Sequence, residues 1–180
     1  EHGHPPSDHE AALKLVRDGG LALTLHAGEA DTAERVVQAL RLGAVRIGHG
    51  LHLVDALHDP QRRALVDEVI ERGAHLEVCP TSNVHTGAAA SIAAHPVTAL
   101  WRAGVSVGVN TDNRLMSGIT LGSECAALLE HTPLALHDLA RMQLEAARHS
   151  FLPEAAKASA ISVLTAYIAA MAQQPQASST

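Results

Sequence analysis

Asp18-Gly19-Gly20-Leu21-Ala22-Leu23-Thr24-Leu25-His26-Ala27-Gly28-Glu29 is the stretch that decides the fold. It holds, in order, the end of an amphipathic helical stretch, a glycine stop, a short apolar run and a polar phrase. Glycine just past a helix is expected punctuation, because that position commonly takes a left-handed backbone. The same order returns three times. Gly43, Gly73 and Gly104, preceded by Leu42, Arg72 and Ala103, stop helical stretches, and apolar runs follow over residues 44–47, 74–78 and 105–109. Polar phrases close each unit: Gly48-His49-Gly50, Cys79-Pro80-Thr81-Ser82-Asn83 and Asn110-Thr111-Asp112-Asn113.

Runs this apolar, without clean alternation, predict strands covered on both faces, and strands alternating with helices predict a parallel sheet. A repeat of about 30 residues is the length of a βα unit. On this pattern alone a closed barrel and a doubly wound open sheet both stand. Either one binds ligands at the carboxyl ends of its strands, which is where all four phrases sit. Beyond the last run, helices are predicted over residues 119–130, 136–149 and 153–171. The second, introduced by Pro133 and Asp138, reads as packing on the outside of a barrel. Residues 173–180 are polar and Ala/Ser-rich and read as a frayed tail.

A chain of 180 residues with 47% hydrophobic content can bury one ordinary core. Aromatic residues make up 2%, so that core must be assembled from Ala, Val, Leu and Ile. The formal net charge of −6 argues against a nucleic-acid backbone or an anionic membrane as partner, since both require basic surface. The longest apolar stretch, residues 161–172, is shorter than a bilayer crossing and carries Ser162 and Thr165. Two cysteines, Cys79 and Cys125, make no disulfide framework, and a cytoplasmic location is the expectation.

The four polar phrases, in this order and at this spacing, resemble the C-terminal half of an adenosine deaminase. The resemblance runs from residue 1 to about residue 153 and takes in Gly3-His4-Pro5-Pro6-Ser7 and Ser150-Phe151-Leu152-Pro153. It implies an α/β fold, the C-terminal half of a (β/α)8 TIM barrel: about four parallel strands alternating with helices, plus extra C-terminal helices, over residues 1–172. It also implies Zn2+ as cofactor and hydrolytic deamination of a purine nucleoside, adenosine or deoxyadenosine, at purine C6. Such a barrel runs to about 250 residues and the chain begins at Glu1. A missing N-terminal half is therefore expected as its partner, with the first and last strands each left an unpaired edge.

His26 follows the first apolar run, and imidazole nitrogen is a standard zinc ligand. Read alone it is equally a hydrogen-bonded rim histidine; the resemblance makes it a metal ligand. Asp112, after the last run, offers an anionic oxygen that completes a metal site and helps lower the pKa of bound water toward about 7. Glu29 lies past a small turn whose Gly28 permits close approach of a ligand. A carboxyl group among apolar walls can hold a proton and donate it to a ring nitrogen, and the resemblance assigns Glu29 the protonation of purine N1. Its alternative is helix capping, for which Asp31 is better placed.

His49 sits between glycines, a poor place for packing and a good one for close approach. The resemblance makes it the group that orients the metal-bound water and takes or shares its proton. Asn113 stands where better-known members of the family carry a second aspartate near purine N7; its amide donates without needing a proton. Gly28 and Asn113 are thus the expected substrate contacts. Cys79 ends an apolar strand, where thiols are inert. Ser82 and Asn83 read as tying down their loop or touching the ribose, and His52, His75, His85 and His131 as surface or packing residues without a nameable partner.

A cytidine-deaminase type of zinc site requires Pro-Cys-x-x-Cys, which the reversed Cys79-Pro80 does not supply. The His-x-His pair that the family takes from its first barrel strand has no counterpart ahead of His26 in a strand setting; His2-Gly3-His4 precedes Pro5-Pro6 instead. Two protein ligands fall short of the three or more that zinc takes, so the chain by itself is expected to bind metal weakly and catalyse little. Deamination of adenine, AMP or an aminofutalosine-like nucleoside is the alternative within the class. A non-catalytic half barrel acting through a partner chain is the alternative outside it.

Overall fold

The computed structural model describes residues 3–173. Four strands, β1 (Leu23–Ala27), β2 (Ala44–His49), β3 (His75–Val78) and β4 (Ser106–Val109), form one parallel sheet in sequence order. A doubly wound sheet would reverse that order at a switch point; unbroken sequential order is the arrangement of a (β/α)8 barrel. Strand β1 begins two residues later than the predicted run over 21–25 and takes in His26 and Ala27. The reason is pairing: Leu23 faces Ala44, the first residue of β2, so nothing lies beside residues 21 and 22.

Helices α1 (Glu10–Asp18), α2 (Ala33–Arg41), α3 (Arg63–Glu71), α4 (Pro80–His85) and α5 (Val97–Arg102) lie between and before the strands. After β4 come α6 (Arg114–Ser117), α7 (Leu121–His131), α8 (Leu136–Arg148) and α9 (Glu154–Gln173). Short 3-10 turns occupy Pro6–His9 and Leu51–Ala56. The core joins one face of the sheet, through Leu23, Ala27, Ile47, Leu76, Val78 and Val107, to helix residues such as Val36, Val37, Leu40, Val66, Val69 and Leu100. Burying each of the larger side chains contributes about 1.5–3 kcal/mol.

The opposite face is polar. Thr24 and His26, Arg46, His75 and Glu77, and Ser106 alternate with the core residues along the four strands. Arg46 pairs with Glu77 and His75 Nδ1 with Ser106 Oγ at 2.9 Å. The expectation of strands apolar on both faces is therefore corrected: apolar residues are concentrated on the helix side. Residues 149–151 fold onto the polar face, where His149 stacks on His75 with ring centroids 4.8 Å apart. Phe151 lies beneath the Arg46 guanidinium at 4.7 Å, which gives the Ser150-Phe151-Leu152-Pro153 phrase a structural task.

Helix α8 does more than pack on the outside. Asn110 N–H donates to the Val78 carbonyl at 2.8 Å. Successive residues of a parallel strand turn their polar groups to alternate edges, so the Val109 carbonyl faces away from β3. Gln143 of α8 donates to it at 3.3 Å, and Trp101 Nε1 anchors the start of α8 by donating to Asp138 at 3.1 Å. Gly108 admits the helix closely, since a Cβ there would stand 3.0 Å from Ala146. Helix α8 thus lies against the last strand and satisfies one carbonyl of its edge, and neither β1 nor β4 has a second strand neighbour among the described residues.

Helix α9 has 20 residues, none of them buried. By length and composition it meets the requirement for crossing a bilayer, which corrects the argument that measured only residues 161–172. A single such helix is not by itself a sign of membrane insertion. Of the expected tail, Gln173 is helical and residues 174–180 lie outside the described part.

Burial pushes the His75 imidazole down to about 3, with His149 and Arg46 adding to the effect, and its Nε2 has no partner. The unfolded chain binds a proton there near 6.5, so between about 6.5 and 3 the unfolded state holds more protons than the folded one. Stability is full above that window and falls on acidification, by up to about 1.4 kcal/mol per pH unit. Urea midpoints measured from neutral pH downward are expected to drop below pH 6.5, and His75→Leu to flatten the slope.

Candidate active site

All four candidate reactive residues lie at the carboxyl end of the sheet: His26 on β1, Glu29 in the loop after it, His49 closing β2 and Asp112 just after β4. A cleft of about 320 Å³ is lined by His26, Gly48, His49, Glu77, Cys79 and Asp112, among others. The His26 and His49 ring centroids are 5.2 Å apart. Gly48 pairs with His26 across the sheet, and a Cβ there would reach within 3.0 Å of the His26 ring. Absence of a side chain at 48 is what makes room for the imidazole. A larger hollow of about 540 Å³ between the Leu51–Ala56 turn and residues 88–102 is lined chiefly by alanines, and its one carboxylate, Asp55, is engaged by His52 at 2.9 Å.

His49, at φ 66°, and Asp112, at φ 54°, are the two non-glycine residues with positive φ among the described residues. Such backbone costs about 1–3 kcal/mol per residue and persists only where the surroundings over-determine it. Both strained residues therefore sit where the polar phrases converge.

Helix α4, which begins within the Cys79–Asn83 phrase, ties these groups together. Ser82 Oγ donates to Asp112 Oδ2 at 2.7 Å. Asn83, fully buried, donates from Nδ2 to Glu29 Oε1 at 3.0 Å and lies 3.1 Å from His49 Nδ1. Thr86 Oγ1 donates to the same Glu29 oxygen at 3.0 Å, while Glu29 Oε2 stands 3.3 Å from His49 Nε2. The helix is itself held by Glu124 of α7, a buried carboxylate that accepts from the Thr81 N–H at 2.9 Å and from its hydroxyl. Negative charge at a helix N-terminus is favourable there.

Gly28 has φ 68° and is buried. A Cβ on it would fall 2.6 Å from Val36 Cγ2 and 3.3 Å from the Gly50 backbone, so protein packing already requires a glycine. Asn113 caps α6, its Oδ1 accepting from Met116 N–H at 3.0 Å, which leaves the amide NH2 as its outward donor. Burial pushes the Cys79 thiol up to about 12, reinforced by Asp112, Glu29 and Glu124, as an inert cysteine requires. Asp31 accepts from Thr32 N–H and pairs with Arg35 ahead of α2.

The four histidines expected to lack a nameable partner do have one: His52 with Asp55, His75 with Ser106 and His149, His85 with Ser117, and His131 with Glu130 at 4.0 Å. As zinc donors, His26 and Asp112 offer one nitrogen and one oxygen of suitable type. Among the described residues no group of three or more His, Cys, Asp or Glu side chains is placed to hold a metal. The donor set would fit zinc only in a site to which further ligands were added.

The adenosine deaminase family model matches residues 1–167. The chain belongs to the adenosine deaminase family. It is 41% identical over 159 residues to adenosine deaminases of Mycobacterium bovis and Mycobacterium tuberculosis, covering 85% of this chain and 44% of those proteins. Adenine deaminase from Arthrobacter aurescens superposes with a TM-score of 0.85 at 28% identity, over 94% of this chain and 50% of that one. An amidohydrolase from Burkholderia ambifaria, with bound Zn, shares the fold at a TM-score of 0.78 and 23% identity, over 96% and 47% of the two chains. The chain thus spans under half the length of these mycobacterial relatives, and its four-stranded sheet is the C-terminal half of a (β/α)8 barrel.

Two groups of the site do not stand out in the sequence: His95, and Asn83, which reads equally as a loop tie or a ribose contact. The structure makes Asn83 a bridge between Glu29 and His49, and Ser82 the partner of Asp112. One signal was present: Asn83 ends a polar phrase at a strand terminus, and a buried amide demands several partners.

Proposed function

We propose that this chain supplies the C-terminal half of the active site of a zinc-dependent purine nucleoside deaminase, with adenosine or deoxyadenosine as substrate. The observation that carries the proposal is the convergence of Glu29, His49 and Asn83 beside His26 and the strained Asp112. His26 and Asp112 would hold the metal, with further ligands from the N-terminal half of the barrel. Zinc, when bound, lowers the pKa of water to near 7 and so supplies a nucleophile.

The chain's own groups account for the rest of the chemistry. Glu29 is fixed at Oε1 by Asn83 and Thr86, which positions its carboxyl to carry a proton to purine N1 as water adds at C6. His49 faces both Glu29 and the His26 ring and orients the attacking water. Ser82 holds Asp112 through one oxygen. Asn113 donates from its amide to purine N7, which accepts only.

Identity to proteins named adenosine deaminase supports adenosine over adenine; the second reading, adenine, is favoured by the Arthrobacter likeness at lower identity. The test is ammonia release by the chain with an N-terminal barrel half supplied in trans and zinc added. Adenosine is expected to give a higher kcat/KM than adenine or AMP. Faster turnover of adenine would shift the reading to an adenine deaminase, and no zinc-dependent turnover of any of the three would remove it.

A further inference from the structure

A backbone amide, whose role as donor is beyond doubt, sets the proton positions of the whole cluster. The Val97 N–H donates to His95 Nδ1 at 3.1 Å. That nitrogen therefore carries a lone pair, and the proton of the neutral ring is on Nε2. His95 is buried, and burial pushes it down to about 4, so the neutral ring is the form present near pH 7. Its Nε2 lies 3.1 Å from Asn83 Oδ1. The atom of Asn83 facing a ring N–H must be the oxygen, which turns the amide NH2 the other way.

One amide hydrogen then points to Glu29 Oε1 at 3.0 Å and the second to His49 Nδ1 at 3.1 Å. A flipped Asn83 would set its carbonyl against the Glu29 carboxylate and its NH2 against the His95 N–H, failing at both ends. Because Asn83 Nδ2 donates to His49 Nδ1, that nitrogen cannot carry a proton. The His49 hydrogen lies on Nε2, the nitrogen 3.3 Å from Glu29 Oε2.

We propose that His95 and Asn83 are positioning residues, a relay running from the Val97 amide that fixes His49 in its Nε2–H tautomer and holds Glu29 beside it. The proposal rests on the reading of His49 and Glu29 as the reacting pair, and it adds a consequence. In the resting site His49 presents a hydrogen-bond donor at Nε2, so it orients a water or hydroxide oxygen and does not take a proton there.

Nitrogen-15 histidine spectra of the full 180-residue chain test this directly, because protonated and bare ring nitrogens differ in chemical shift and in long-range coupling to the ring hydrogens. The His49 signals are assigned by their loss in His49→Gln. A proton on Nε2 and a bare Nδ1 is the expected result; a proton on Nδ1 in the unsubstituted chain would overturn the relay whatever the activity. His95→Leu removes the donor, so His49 is expected to become a mixture of tautomers, while His95→Gln, whose amide can still donate to Asn83, should keep the Nε2–H form. In the completed barrel His95→Leu should lower kcat by about 10- to 100-fold, the usual cost of losing such a partner, with KM little changed and His95→Gln recovering most of the rate. An unchanged kcat in His95→Leu would count against the relay. If the completed barrel fails to deaminate adenosine at all, the functional reading falls and the spectra of the unsubstituted chain still decide the relay.

Discussion

Glu29→Gln, introduced into the completed barrel, is expected to lower kcat for adenosine by about 10² to 10⁴-fold, the range that loss of a general acid usually costs. Zinc content and ground-state nucleoside affinity should stay near their unsubstituted values. The asymmetry follows from what an amide can do. Glutamine keeps the shape of the side chain and can still accept from Asn83 and Thr86, which hold Oε1 in place. It can also offer a hydrogen bond to purine N1, but it cannot deliver a proton to it. Steady-state kinetics with adenosine, paired with nucleoside binding by calorimetry, separate the two effects. A variant with near-normal turnover would take Glu29 out of the role given to it.

His26→Ala and Asp112→Ala should each lower zinc-dependent turnover by at least about 100-fold, beyond the 10- to 100-fold typical for loss of an outer partner. Ser82→Ala, which removes only the hydroxyl that donates to Asp112 at 2.7 Å, should fall inside that lower range. The ordering is the informative part, since a ligand's loss must exceed that of the group orienting it. Metal content by atomic absorption and activity on adenosine give the ranking. An Asp112→Ala loss no larger than that of Ser82→Ala would take Asp112 out of the role of metal donor.

Much of this was legible from the chain alone, for reasons that particular residues make plain. Gly43, Gly73 and Gly104 end their helices with φ between 60° and 107°, which only a residue without a side chain adopts freely. Those stops set the repeat from which the parallel sheet follows. Sequential strand order was not legible, because a 30-residue repeat fits a barrel and a doubly wound sheet alike. Nor was the polar sheet face, because Arg46 and Glu77 are remote in sequence and meet only across the strands.

At the site, His26, Glu29, His49 and Asp112 stood out because each follows an apolar run. His95 did not, since it belongs to a loop whose fold-back onto Asn83 no local pattern announces. The contact of α8 with β4 was hidden for the same reason. A helical stripe of Leu139, Met142 and Leu144 predicts a buried face but does not say whether that face meets the flat of a sheet or its edge.

The most direct test of the account is the position of zinc itself. Anomalous diffraction at the zinc edge, from crystals of the completed barrel, is expected to place one metal ion about 2.0–2.2 Å from a ring nitrogen of His26 and from a carboxylate oxygen of Asp112, with Glu29 and His49 nearby but not coordinated. Zinc found instead on other histidines of this chain, with the cleft between His26 and Asp112 empty of metal, would contradict it.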